Sequence, residues 1–127
     1  MISLLELKDK KETEKLFTEA ELSANEFSSC LTAVNGKELL GYCLFDLDDK
    51  EILIRYISPL SDIPLADGIL RSTLHIAAER GVMNAFYDDT ISEDFFKKTG
   101  FIKDTNEKRL DIDKLFKSCC DCNKQEG

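Results

Sequence analysis

The sequence contains no apolar run long enough to cross a bilayer. Its longest, Gly41 to Phe45 and Ile52 to Ile57, fall far short of the roughly 20 residues that a spanning helix needs, so no membrane partner is expected. Met1 to Leu7 lacks a basic lead and a small-residue cleavage site, which argues against a secretory signal and for the cytoplasm. Nor is there a Lys/Arg cluster. Seventeen basic residues stand against 25 acidic ones, a formal charge of −8, and without a basic patch nothing would release counterions from a phosphate backbone, so no nucleic-acid partner is expected. Histidine occurs once, at His75, about half a turn from the apolar stripe of its helix, and is given no role. No internal repeat, low-complexity linker or composition step marks a second domain.

What is present fits one soluble domain of 127 residues, with 43% apolar and 33% charged side chains, enough chain to build one hydrophobic core without metal or disulfide. The five cysteines are an odd number and read as thiols rather than a disulfide framework. Cys30 and Cys43 lie in apolar stretches as small core residues. Cys119, Cys120 and Cys122 crowd the tail with Asp121. Adjacent cysteines close a tetrahedral site poorly and no second Cys/His cluster completes it, so no metal is expected. A domain over 1–112 followed by a helical turn and Cys-rich tail over 113–127 is the expected organisation.

Ile2 to Leu7 reads as a strand, and Asp9 caps a helix carrying Leu16, Phe17, Ala20 and Ala24 at helical spacing. Phe27 to Val34 is a strand ending at Asn35-Gly36, a hairpin signal because both residues tolerate positive φ. Leu39 to Leu47 and Glu51 to Ser58 complete a meander around the turn Asp48 to Lys50. In the last strand, alternation places Ile52, Ile54 and Tyr56 on one face, Leu53 and Ile57 on the other. Ser61 or Asp62 caps a helix with Pro64 in its first turn. Its residues Ala66, Ile69, Leu70, Thr73, Leu74 and Ala77 form one stripe. Gly81 ends it, and Val82 to Tyr87 returns parallel to Glu51–Ser58, a right-handed βαβ crossover. A short helix from Ser92 to Thr99, strands at Phe101-Ile102 and Arg109 to Ile112, and a turn at Asp104 to Lys108 follow. The fold class is α/β (α+β): a mixed, mostly antiparallel twisted sheet with a central βαβ crossover and helices on both faces. Ile2 to Leu7 and Arg109 to Ile112 are expected edge strands through which a homodimer would pair.

This order of elements resembles the GNAT N-acetyltransferase superfamily over roughly residues 1 to 112. Leu40-Gly41-Tyr42-Cys43-Leu44-Phe45-Asp46 is similar to that family's "VGFALFD" strand, and Ile57-Ser58-Pro59 to its strand ending in "V-H-P". Glu79-Arg80-Gly81 resembles the "ERG" that closes its long helix, and Phe95 to Phe101 resembles "FYEKLGF". The resemblance implies acetyl-CoA as acyl donor, held where two parallel strands splay, here between Tyr56-Ile57-Ser58 and Met83 to Tyr87. Unpaired backbone groups of splayed strands can bond a pantetheine arm as a substitute strand, and a helix N-terminus can receive a pyrophosphate.

On that resemblance the cofactor-binding residues are Ile57, Ser58, Ile63, Leu65, Ala66, Asp67, Gly68, Asp89 and Phe96. The family's phosphate motif is degenerate here. Of Ser61 to Ala66 only Ala66 matches it, Pro64 removes an N–H, and Asp62 and Asp67 bring negative charge towards an anion. Phe96 stands where many members carry the tyrosine that protonates the departing thiolate, Asp89 at the usual Asn, and Ser92 at the usual Ala. The catalytic candidates are Glu51, Tyr56 and Tyr87, the last with Asp88 beside it. The function implied is direct acetyl transfer to an amine in a ternary complex, the acidic surface suiting a cationic small-molecule or peptide acceptor. The alternative is a catalytically inactive ligand-binding or protein-interaction module on the same fold.

Overall fold

A computed structural model describes residues 2–115, so the Cys119–Cys122 cluster lies outside the described residues. Seven strands form one sheet in the order β1-β2-β3-β4-β5-β7-β6. They are β1 (Ile2–Glu6), β2 (Ser28–Asn35), β3 (Glu38–Leu47), β4 (Glu51–Ser58), β5 (Asn84–Tyr87), β6 (Ile102–Asp104) and β7 (Arg109–Leu110). Three helices, α1 (Lys10–Glu19), α2 (Ile63–Glu79) and α3 (Glu93–Thr99), pack on it. Among the described residues only β4 and β5 run parallel, joined by α2. Among the described residues no helix is long and apolar enough to cross a membrane.

Each helix begins on a side chain that satisfies one of its otherwise unpaired N–H groups. Asp9 accepts from the Lys11 N–H at 2.9 Å, Asp62 from the Leu65 N–H at 3.2 Å and Ser92 from the Asp94 N–H at 3.2 Å. Pro64 sits in the first turn of α2, where a missing N–H costs little. The six stripe residues of α2 are all buried. They meet alternate residues of the meander, Leu31, Ala33, Cys43, Phe45, Ile52, Ile54 and Ile57, in the main core, to which α3 adds Phe95 and Phe96. The opposite face carries a smaller cluster of Phe17, Cys30 and Leu44, flanked by Leu7, Leu16, Tyr42 and Tyr56. Helices therefore cover both faces.

Four expectations need correction. The first helix stops at Glu19, because Glu21 takes a positive φ of 61°. Ala24 therefore lies outside the helix, although it still packs against the smaller cluster. The hairpin turn is displaced by one residue: Asn35 pairs with Glu38, so Gly36 and Lys37 form the loop. Gly36 alone takes the positive φ, 63°, which suits glycine at the first central position of a two-residue turn. The Arg109–Leu110 strand is interior, paired to both β5 and β6; the edges are β1 and β6. Tyr56 faces the α1 side and Ile57 the face of Ile52 and Ile54, the reverse of the expected alternation for both. Register explains this last reversal. Leu44 pairs with Tyr56 and Phe45 with Ile54, so Arg55 is an extra residue without a β3 partner, a β-bulge that shifts the alternation by one.

The two buried thiols behave as core atoms. They sit on opposite faces of adjacent strands, and burial pushes Cys30 up to about 12 and Cys43 up as well. Because the thiolate is the nucleophile, both should resist alkylation until the protein unfolds, as differential labelling with peptide mapping will show. For Cys30 the raised native pKa implies no effect on stability below pH ~9. Above that the unfolded thiol ionises first, and stability falls towards pH ~12. Cys30→Ala should remove that part of the pH slope in urea melts.

Candidate functional site

The parallel pair is short. β4 and β5 are in register from Glu51–Asn84 to Ile54–Tyr87 and no further. The last contacts are the Asp88 N–H donating to the Ile54 carbonyl at 2.9 Å and the Thr90 hydroxyl donating to the Arg55 carbonyl. Beyond that point β4 continues through Tyr56, Ile57 and Ser58, paired to Leu44, Cys43 and Tyr42 of β3 on one edge. Among the described residues no strand pairs with the other edge. A notch therefore opens where the bulge falls, and its unpaired backbone can take an extended ligand as a strand would.

Three features hold the notch in shape. Gly41 of β3 lets the end of β4 approach, since a Cβ there would lie 2.5 Å from the Ser58 carbonyl oxygen and 3.0 Å from Ile69 Cδ1. Arg55 donates from Nη1 to Asp46 at 2.8 Å and from Nε to Asp88 at 3.0 Å, so one guanidinium ties β3, β4 and the end of β5 together. Burial works against the charge on Arg55, but the hydrogen bonds and charges of both aspartates outweigh it and raise its pKa. Asp46 is completed by the Ser28 hydroxyl at 2.7 Å. The third feature is the ring pair below the notch, where Tyr87 packs on Phe96 at 4.4 Å between centroids.

The expected site residues are partly brought together. Ile57 and Ser58 lie on the open edge of β4, with Tyr56 beside them. Tyr87 at the end of β5 and Phe96 on α3 are both buried in the main core. Burial, then the Glu93 carboxylate, raises the Tyr87 pKa, with Lys108 opposing. Glu51 stands exposed at the closed end of the β4–β5 pair, four residues and therefore about 13 Å along the strand from the bulge at Arg55 where the notch opens. Asp89 is exposed and ion-paired to Lys108.

The start of α2 differs from a ready anion cradle. Asp62 occupies the Leu65 N–H, Pro64 has none, and the Ala66 N–H is spent on the Asp62 carbonyl at 2.9 Å. Of the first turn, Ile63 alone has an N–H engaged in no such bond. The Ala66 side chain is buried in the core, and Leu65 packs partly against it. Asp67 pairs with Arg71 at 2.9 Å. Gly68 borders open space. His75 is exposed and bonded to Glu79 at 2.8 Å. The sequence pattern by itself assigns no role to Asp46 or Thr90. The signal available for Asp46 was an acidic residue inside a mostly apolar strand, next to the strand that carries Arg55.

No family model and no curated protein sequence matches this chain. Solved structures do. The Escherichia coli protein YhhK, determined by solution NMR bound to coenzyme A, has a TM-score of 0.62 at 14% identity, covering 87% of this chain and 98% of its own. A ribosomal-protein-alanine N-acetyltransferase from Brucella melitensis biovar Abortus gives 0.57 at 15% identity, over 79% and 89%. A GNAT family acetyltransferase from Streptococcus pneumoniae gives 0.55 at 14%, over 80% and 88%. Identities this low speak to fold, and the fold is the one they share.

Proposed function

We propose, for a chain that carries the GNAT N-acetyltransferase fold, that it binds acetyl-CoA in the β4–β5 notch and transfers the acetyl group to an amine. The observation that supports this most is the bulge at Arg55, which opens the parallel pair and leaves Tyr56–Ser58 with an unpaired edge. Ile57 and Ser58 would bond the pantetheine arm through their backbone groups, and the first turn of α2, from Ile63 to Gly68, would face the phosphates. Acetyl-CoA supplies an activated acetyl thioester. In the transfer a nitrogen–carbon bond forms, the carbon–sulfur bond breaks, the amine loses a proton and the leaving thiolate gains one.

The protein's own groups divide that work. Tyr87, packed on Phe96 at the end of β5, stays protonated at neutral pH, and although its raised pKa makes it a weaker acid than an ordinary tyrosine, it is the hydroxyl left there to give a proton to the thiolate, the task for which Phe96 is unfit. Tyr56 stands at the open edge, along the path of the incoming amine. Glu51 is too far along β4 for direct contact and takes the amine proton through intervening water. YhhK, solved with coenzyme A, is the precedent for a CoA site on this fold.

Isothermal titration with acetyl-CoA tests the reading, with desulfo-CoA as a control for thiol exchange. Saturable binding is expected. Asp62→Ser keeps an oxygen for the Leu65 N–H while removing a negative charge from the phosphate end, and should tighten binding about two- to fivefold. No saturable heat from either protein would reject the reading.

A further inference from the structure

A second cavity of about 440 Å³ lies on the other face of the sheet, between α1 and the β2–β3 hairpin. That size falls within the range of small-molecule pockets. Leu16, Val34 and Leu39 give it an apolar floor, and Glu12, Lys15 and Glu19 its charged rim. Leu39 is 48% exposed, an apolar side chain that the fold leaves without a cover.

The cavity leads towards the notch. Thr32, in its wall, pairs with Tyr42 across β2–β3, and Tyr42 pairs with Ser58 across β3–β4. The Tyr42 and Tyr56 rings lie 6.0 Å apart, an aromatic wall running from the cavity to the open edge of β4. Glu19 is the last residue of α1, whose final turn holds no basic residue, so its carboxylate adds to the negative end of the helix dipole. Glu19 is near enough to Tyr42 to help raise its pKa, after burial and Tyr56. A carboxylate, a helix C-terminus and two aromatic faces all favour a cation at this point.

We propose that this cleft is the acceptor site, and that it takes a primary amine bearing an apolar alkyl or aryl arm. The ammonium end lies by Glu19, Tyr42 and Tyr56 on its way to the notch, and the arm lies on Leu16, Val34 and Leu39. Small polyamines fit less well, because Leu16, Val34 and Leu39, on which the arm lies, give a second ammonium nothing polar to bond. The inference rests on the acyl-transfer reading for the fate of the amine, though not for its binding.

Titration calorimetry with n-hexylamine, 1-hexanol and 1,4-diaminobutane, each with and without acetyl-CoA, tests it. Hexylamine should bind saturably, and the alcohol and the diamine about tenfold more weakly or worse. Glu19→Gln and Leu39→Asp alter solvent-facing side chains, and each should weaken hexylamine about tenfold while the Tm and acetyl-CoA affinity report an intact fold. Hexylamine failing to bind, binding no better than the diamine, or ignoring both substitutions would overturn the proposal. Acetyl-CoA binding without hexylamine binding rejects the cleft alone. Variant-sensitive hexylamine binding without acetyl-CoA binding keeps the cleft and rejects acyl transfer.

Discussion

Replacing Gly41 by alanine is expected to lower stability by about 2 kcal/mol, roughly 8 °C in Tm. The reason is steric. The new Cβ would meet the Ser58 carbonyl oxygen at 2.5 Å and Pro59 Cδ at 2.9 Å, with Ile69 Cδ1 at 3.0 Å behind them. A backbone carbonyl and a proline ring are not the far ends of flexible side chains, so the end of β4 has to move. The smaller unfolded-state entropy of alanine returns only about 0.4–1 kcal/mol. Because the displaced group belongs to the open edge of the notch, acetyl-CoA affinity should fall about tenfold, in keeping with the cost of a small misplacement at a binding edge. Gly68→Ala provides the contrast: a Cβ there meets open space inside α2, and should stabilise by about 0.5–1 kcal/mol. Thermal melts and calorimetry on both variants check the pair. A Gly41→Ala protein that melts with the wild type would show that the close approach of β3 to Ser58 constrains nothing.

The difference between what the sequence disclosed and what it concealed follows from the range of the interactions involved. Residues that answer to their own neighbours were legible. Asp9 and Asp62 cap helices within three residues of themselves, and the α2 stripe follows from helical spacing alone. The bounds of β4, between an Asp-rich turn and a proline, are local as well. The notch depends on register. Whether Arg55 is skipped by β3 is decided by which residues of two strands face each other, and alternation from Ile52 gave Tyr56 the wrong face. A trace was there in the spacing of Ile52, Ile54 and Ile57, two and then three, since one apolar face cannot be kept over that interval without an extra residue. The Arg55 partners were further out of reach, because Asp46 lies nine residues away and Asp88 thirty-three. The acceptor cleft depends on α1 meeting β2 and β3, which no short motif records.

Arg55→Met should produce the largest loss at the notch, about 2–3 kcal/mol, from the removal of two charge-assisted hydrogen bonds and the exposure of two carboxylates to each other's field. The side chains of Arg55, Asp46 and Asp88 are 16%, 15% and 30% exposed, so solvent screens part of the interaction and the figure stays below that of a fully buried pair. Lysine is expected to be a poor substitute, since one ammonium lacks the fork that reaches β3 and the end of β5 together. The origin of the loss can be separated from simple packing. In Arg55→Met the cost is largely an uncompensated carboxylate, so adding Asp46→Asn should recover about 1 kcal/mol in the double variant, whereas Asp46→Asn alone should destabilise. Urea denaturation of the four proteins gives the cycle. If the second substitution deepens the loss instead, the guanidinium acts through its contact with the Phe17 ring, 5.9 Å away, and not as the charge that joins β3, β4 and β5. If the cycle closes as expected, the Asp88 N–H, which bonds Ile54 at the point where the strands part, should exchange faster in Arg55→Met than in wild type, relative to amides of the α2 core. That difference would identify the ion network as what fixes the point where the strands part before any ligand arrives.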